Sequence, residues 1–166
     1  MEKRIEQKIK KDSISEITLR GTECSSDSLN QLLDMTVDKT RGESLDKLCF
    51  QKFPANIELD ESVFFRLINV SRQLKSLRIW CMAECDEEAN KELINFVIGV
   101  IQTKAPLEEL SLPGFGGAAS ENAGHMVLEA LCQQETSTLE TINFSSNPLW
   151  WHSGSTVEML TNMTAK

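Results

Sequence analysis

The sequence predicts an α/β chain: a right-handed β/α solenoid, with a parallel sheet lining its concave side and helices covering its convex side. Three observations predict it. An apolar triplet at spacing i, i+3, i+5 recurs along the chain as Ile14/Ile17/Leu19, Leu45/Leu48/Phe50, Leu74/Leu77/Ile79, Leu107/Leu110/Leu112 and Leu139/Ile142/Phe144. The third member returns at intervals of 31, 29, 33 and 32 residues, which is the mark of a repeat architecture. Between triplets, apolar residues recur at helical spacing.

Each triplet makes physical sense as a short strand. Its last two members are two residues apart and share one face of a strand; the first turns inward where the strand begins. Small or turn-forming residues follow: Gly21-Thr22, Lys52-Phe53-Pro54, Pro113-Gly114 with Gly116-Gly117, and Ser146-Asn147-Pro148. In the fifth unit Asn147 is placed to bond the backbone of the neighbouring turn. The other units carry Thr22, Phe53, Met82 and Phe115 at that place, so the side-chain ladder is expected there alone.

The helices are read in order. Asp27-Ser28 opens a segment with Leu29, Leu32, Leu33 and Val37. Asp60-Glu-Ser62 precedes Val63, Phe64, Leu67, Ile68 and Val70. Asp86-Glu-Glu88 precedes Leu93, Ile94, Phe96, Val97, Val100 and Ile101, and Ala105-Pro106 ends that helix. Ser120-Glu-Asn122 precedes Met126, Val127, Leu131 and Cys132, and Thr156 precedes Val157, Leu160 and Met163. Acidic or hydroxyl residues at these starts cap free N–H groups and complement the helix dipole.

The stretch Leu139-Glu-Thr-Ile142-Asn-Phe144-Ser-Ser-Asn147-Pro-Leu149 fits the template L-x-x-L-x-L-x-x-N-x-L, with Ile and Phe as apolar equivalents. With the looser copies upstream, the chain from Ile14 to Met163 resembles the ribonuclease-inhibitor-like class of leucine-rich repeats. That resemblance implies a horseshoe segment of about five repeats over residues 13–166, acting as a binding scaffold and not as an enzyme. Residues 1–12 are polar and are expected as one short helix, with Ile5 and Ile9 facing inward. Neither end looks like a dedicated cap. The open flank of the fifth unit has two explanations: a longer solenoid of which this is a fragment, or a partner that covers the edge.

Composition narrows the function classes. The chain has 166 residues, is 40% apolar and 25% charged, and carries a net charge of −8. An acidic domain has no general pull toward phosphate backbones or anionic membrane surfaces, so neither nucleic acid nor membrane is expected as a partner. No apolar run approaches the roughly 20 residues a membrane span needs. The N-terminus is charged and lacks the apolar core of a secretory signal. Five cysteines, an odd number, then read as reduced thiols in a cytoplasmic protein.

In this architecture the residues between the inward apolar positions face the concave surface. One column is Thr18, Cys49, Arg78, Ser111 and Asn143; a second is Arg20, Gln51, Trp80, Pro113 and Ser145; a third is Glu16, Lys47, Ser76, Glu109 and Thr141. Arg78 and Trp80 fall side by side in mid-sheet with Lys75 and Gln51 near, and Trp and Arg are the residues most enriched at binding hot spots. The simpler account is a local aromatic filler. In Trp150-Trp151 both indoles cannot point inward, which makes Trp151 a second contact point. The expected site is therefore Arg78, Trp80, Lys75, Gln51 and Trp151, gripping a protein partner. Glu108, Glu109 and Glu140 would complement a basic surface, although acidic residues at helix starts and solvated faces are commoner.

Chemistry finds little support. Cys81-x-x-x-Cys85 lacks a second half-site for zinc, and no His lies across from Cys49 to make a nucleophile pair. His125 and His152 read as surface or packed histidines. Gly114-Phe-Gly-Gly117 lacks the Gly-Lys-Ser/Thr ending of a phosphate loop. No cofactor or metal is expected. Two other roles remain open: a regulator of a small GTPase, since Ran GTPase-activating proteins are similar in fold, and a structural subunit of a large assembly.

Overall fold

The computed structural model describes residues 4–10, 13–20, 27, 30, 31, 33, 34, 45–53, 61–81, 87–114, 123–134 and 138–147. In chain order they form β1 (Arg4–Lys10), β2 (Ser13–Arg20), β3 (Lys47–Phe53), α1 (Glu61–Val70), β4 (Ser76–Cys81), α2 (Glu87–Gln102), β5 (Glu109–Ser111), α3 (Ala123–Cys132) and β6 (Thr141–Asn143). Residues 27, 30, 31, 33 and 34 are also helical, inside the first expected helix. The last expected helix, Thr156 to Met163, lies outside the described residues.

The strands form one sheet in the order β1-β2-β3-β4-β5-β6. Strands β2 to β6 are parallel, and β1 runs antiparallel to β2. Parallel neighbours need a crossover of helical length, which is what the alternation of triplet and helical pattern supplies. Helix α1 lies beside α2, and α2 beside α3.

The triplets become stacked rows of core. Ile17, Leu48, Leu77, Leu110 and Ile142 stand in register across five strands. The first four are fully buried, and Ile142 on β6, the last strand among the described residues, is 37% exposed. Leu19, Phe50 and Ile79 form the second row, and Leu112 and Phe144 are buried two positions further along their own strands. Leu45, Leu74 and Leu107 are buried where their strands begin, while Leu139 is partly buried. Each buried side chain of this size contributes about 1.5–3 kcal/mol relative to exposure.

The backbone repeats along with the side chains. The carbonyl of Asp46 accepts the N–H groups of Lys75 and Ser76; that of Lys75 accepts those of Glu108 and Glu109; that of Glu108 accepts those of Glu140 and Thr141. One joint is thus built three times. At the opposite end of the fifth unit, Asn147 is 4% exposed and its Nδ2 donates to the Leu112 carbonyl at 2.7 Å and the Phe144 carbonyl at 3.1 Å. The expected bond to the neighbouring turn is present.

Helix α2 ties the layers together. Leu93, Ile94, Phe96, Val97, Val100 and Ile101 are buried, and the Phe96 ring meets Phe50 of the sheet edge-on, with centroids 6.1 Å apart. Its end is closed by the Thr103 hydroxyl, which donates to the Val100 carbonyl, and by the Gln134 amide, which donates to the Ile101 carbonyl. Lys104 then takes the left-handed conformation, φ 58°. Gly99 admits α1 closely: a Cβ there would stand 2.6 Å from Ile68 Cδ1.

Two expectations are corrected. Residues 4–10 are not helical; they form β1. Two isoleucines four residues apart share a face in a strand as well as in a helix, so their spacing does not separate the two. The open backbone of β2 favours the strand, and Ile5 stands opposite the core residue Leu19. Met126 does not point inward; it is exposed, and the buried stripe of α3 is Ala123, Gly124, Val127, Leu128, Ala130 and Leu131. No helix among the described residues is long and apolar enough to cross a membrane.

Candidate functional site

The solvent-facing side of the sheet follows from strand alternation. In β4, Leu77 and Ile79 point into the core at 0% exposure, which turns Arg78 and Trp80 outward. Trp80 is 51% exposed, in the middle of the sheet. The register sets Gln51 across from Trp80, and Cys49 across from Arg78. It also aligns Thr18, Cys49, Arg78, Ser111 and Asn143 in one row, and Glu16, Lys47, Ser76, Glu109 and Thr141 in the next.

Arg78 is held by the next strand. Its Nε lies 2.8 Å from Glu109 Oε1, and its Nη2 donates to Oε2 at 2.9 Å. The Ser76 hydroxyl donates to the same Oε2 at 2.8 Å. A two-pronged guanidinium–carboxylate contact fixes the plane of the fork as well as its charge. Burial pushes the Glu109 carboxyl up; the hydrogen bonds from Arg78 and Ser76 outweigh that and hold it below the usual carboxylate range. The hydrogen bond to Glu109 in turn raises Arg78.

Strand alternation in the sequence puts Arg78 on the outer face of β4, where it is exposed, but does not show its partner. The signal was available: Glu109 belongs to the adjacent row, one strand over and one step diagonal, within reach of a long side chain. What the columns do not contain is the rotamer that brings the two together. Lys75 sits at the start of β4, exposed, with its ammonium 3.7 Å from Glu108. That is a loose pair of little energetic weight. Gln51 is half-buried beside Trp80. The structure therefore groups Arg78, Trp80 and Gln51, puts Lys75 at the rim, and leaves Trp151 outside the described residues.

A carboxylate paired with a guanidinium and kept below its ordinary pKa is a weak general base. Among the described residues no group of three His, Cys, Asp or Glu side chains could hold a metal ion. Cys49 is half-buried and not in a disulfide, and its neighbours in register are Thr18 and Arg78. His125 is half-buried on α3. Gly114 occupies the left-handed region, φ 65°, in the turn after β5, and residues 115–117 of the glycine-rich stretch lie outside the described residues.

No family model, no curated protein and no solved structure matches this chain.

Proposed function

We propose that the chain is a leucine-rich-repeat solenoid of the ribonuclease-inhibitor-like class, and that it works as a non-enzymatic, cytoplasmic scaffold that binds a partner protein through the open face of its sheet and its β6 end. Support for the repeat reading is the coincidence of three patterns. The triplets stack as apolar rows, strand order follows chain order, and the Asn147 bond falls at its template position. Support for the binding reading is one observation above the rest: an indole 51% exposed at the centre of a sheet face. Exposed Trp is costly in water and is a residue around which interfaces concentrate their energy.

The neighbours of Trp80 suit that role. The Arg78–Glu109 fork is pre-set, so a partner meets an ordered polar rim without the entropy of fixing a free arginine. The partner favoured is one with a basic surface, because Glu109, Glu108 and Glu140 line the same end of the sheet. The exposed Ile142 of β6 also favours a role as one subunit of a larger assembly.

The test is comparative capture. The wild-type chain and the Trp80→Ala chain are used as baits under identical conditions, and bound proteins are quantified by mass spectrometry. A protein retained by wild type and weakened by at least about 1–2 kcal/mol in the variant supports the reading. Equal retention of every bound protein by both baits rejects it.

A further inference from the structure

Two carboxylates stand side by side where β5 and β6 begin. The Glu140 N–H donates to the Glu108 carbonyl at 2.9 Å, which sets the two residues on neighbouring strands at one level. Like charges so placed repel. Glu108 is held only loosely, 3.7 Å from the Lys75 ammonium. Glu140 is exposed and has no ion-pair partner among the described residues. Residues 105–165 hold seven Glu and no Lys or Arg, so the stretch that carries β5, α3 and β6 brings no such cation of its own. Glu109 beside them is already committed to Arg78 and Ser76.

A second observation on the same face is a hydroxyl without a partner. Of the buried polar side chains, Ser71, Ser76 and Asn147 each donate a hydrogen bond. The hydroxyls of Thr18 and Ser111 make none among the described residues. Thr18 lies beside β1, whereas Ser111 lies in mid-face, between Arg78 and Asn143 in register. Leu110 and Leu112 point into the core, which turns Ser111 to the open side, yet it is only 8% exposed. Its two neighbours are longer and exposed, so the hydroxyl lies on the floor between them, within reach of a slim chain and not of a flat surface. Buried hydroxyls are as a rule hydrogen-bonded, so this one points to an oxygen or N–H brought from outside.

Trp80 lies two residues past Arg78, and Glu108 three residues before Ser111, the register partner of Arg78. At about 3.3 Å per residue, the indole and the carboxylate pair stand about 17 Å apart along the strands, with Ser111 between them. We propose that the occupant of this face is an extended segment of a partner protein. It lays a large apolar residue on Trp80, hydrogen-bonds its main chain to Ser111 and sets a lysine or arginine between Glu108 and Glu140. Charge complementarity fixes the basic end, and the buried hydroxyl fixes the slim chain. Side chains at even spacing share a face of an extended chain, so the apolar and basic residues stand about four to six residues apart, in either direction. This rests on the reading of the sheet face as a docking surface, and it names the chemistry of the partner.

The probe is a phage-displayed library of random dodecapeptides, selected on the full chain. Enriched peptides are synthesised with a fluorescent label and titrated by anisotropy, and far-UV circular dichroism confirms folding of every variant. The enriched peptides are expected to share one large apolar residue and a lysine or arginine about four to six residues away. Trp80→Ala and Glu140→Lys are each expected to weaken their binding at least about tenfold, the scale of an interface hot spot. Ser111→Ala is expected to weaken it about two- to tenfold, the worth of one neutral hydrogen bond. Phe65→Ala, exposed on the helix side of the molecule, is expected to bind as wild type does. The proposal is overturned if nothing is enriched, if the enriched peptides lack a basic residue, if Glu140→Lys or Ser111→Ala binds as wild type does, or if Phe65→Ala weakens binding. Peptides that need Trp80 but ignore the Glu140 reversal remove this occupant and leave the sheet face as a docking surface. Binding that ignores Trp80→Ala removes both.

Discussion

Asn147 offers the sharpest test of how the units are joined. Its amide donates to two carbonyls, one on its own turn and one on the preceding unit, from a position that is 4% exposed. Asn147→Ala deletes both bonds without adding bulk. At about 1 kcal/mol for each net hydrogen bond the loss is about 2 kcal/mol, and it grows if water cannot reach the abandoned carbonyls. For a chain of this length that corresponds to a fall of about 4–8 °C in Tm. Asn147→Asp is isosteric and should be worse, because it turns an acceptor-only carboxylate toward two carbonyl oxygens. Such an Asp has its folded pKa raised above the ordinary value of about 3.9. The damage is therefore smallest below about pH 4 and increases as pH rises through the folded pKa. Urea titration followed by circular dichroism, at neutral and at acid pH, measures both effects. If both variants lose less than about 0.5 kcal/mol at neutral pH, well below one hydrogen bond, the amide does not join the units.

Further outcomes follow from other positions. Lys104→Gly removes the side chain from a left-handed residue at a helix end and should raise stability by about 0.5–1 kcal/mol, read as a higher urea midpoint. Gly99→Leu drives a side chain into Ile68 and should cost about 1–3 kcal/mol; an unchanged midpoint would show that α1 and α2 are further apart than described. Glu109, with its folded pKa below the unfolded value, contributes stability above about pH 4.3 that is lost as pH falls through the folded pKa. Glu109→Gln should flatten the acid side of the stability curve in that window; an identical acid limb in wild type and variant would argue against the Arg78 fork. The effect at neutral pH stays within about 1 kcal/mol, because the pair is open to solvent.

Much of the sheet was legible in advance. The columns read from the triplets reappear as the observed register, from Glu16–Lys47–Ser76–Glu109–Thr141 to Thr18–Cys49–Arg78–Ser111–Asn143. Three of the expected helices appear as α1, α2 and α3. The reason is that apolar periodicity is a local property: a strand and a helix bury different spacings, and each spacing can be read within a dozen residues. The strand at residues 4–10 was not legible, because Ile5 and Ile9 fit both spacings and the deciding factor, the open edge of β2, lies in another segment. Met126 was misplaced for a related reason, since Ala123 and Gly124 bury a stripe that small residues do not advertise.

The site divides along the same line. That Arg78 and Trp80 share the outer face of one strand is written in the chain, since residues two apart in a strand must point the same way. Their different fates are a product of packing across units. Glu109, 31 residues away, reaches Arg78 and binds it, while the indole of Trp80 remains half open to solvent. Side-chain pairing of that kind depends on register and rotamer between segments, which no local pattern encodes. Parity along a strand decides which face a residue occupies; distance across strands decides whether it is left for a partner.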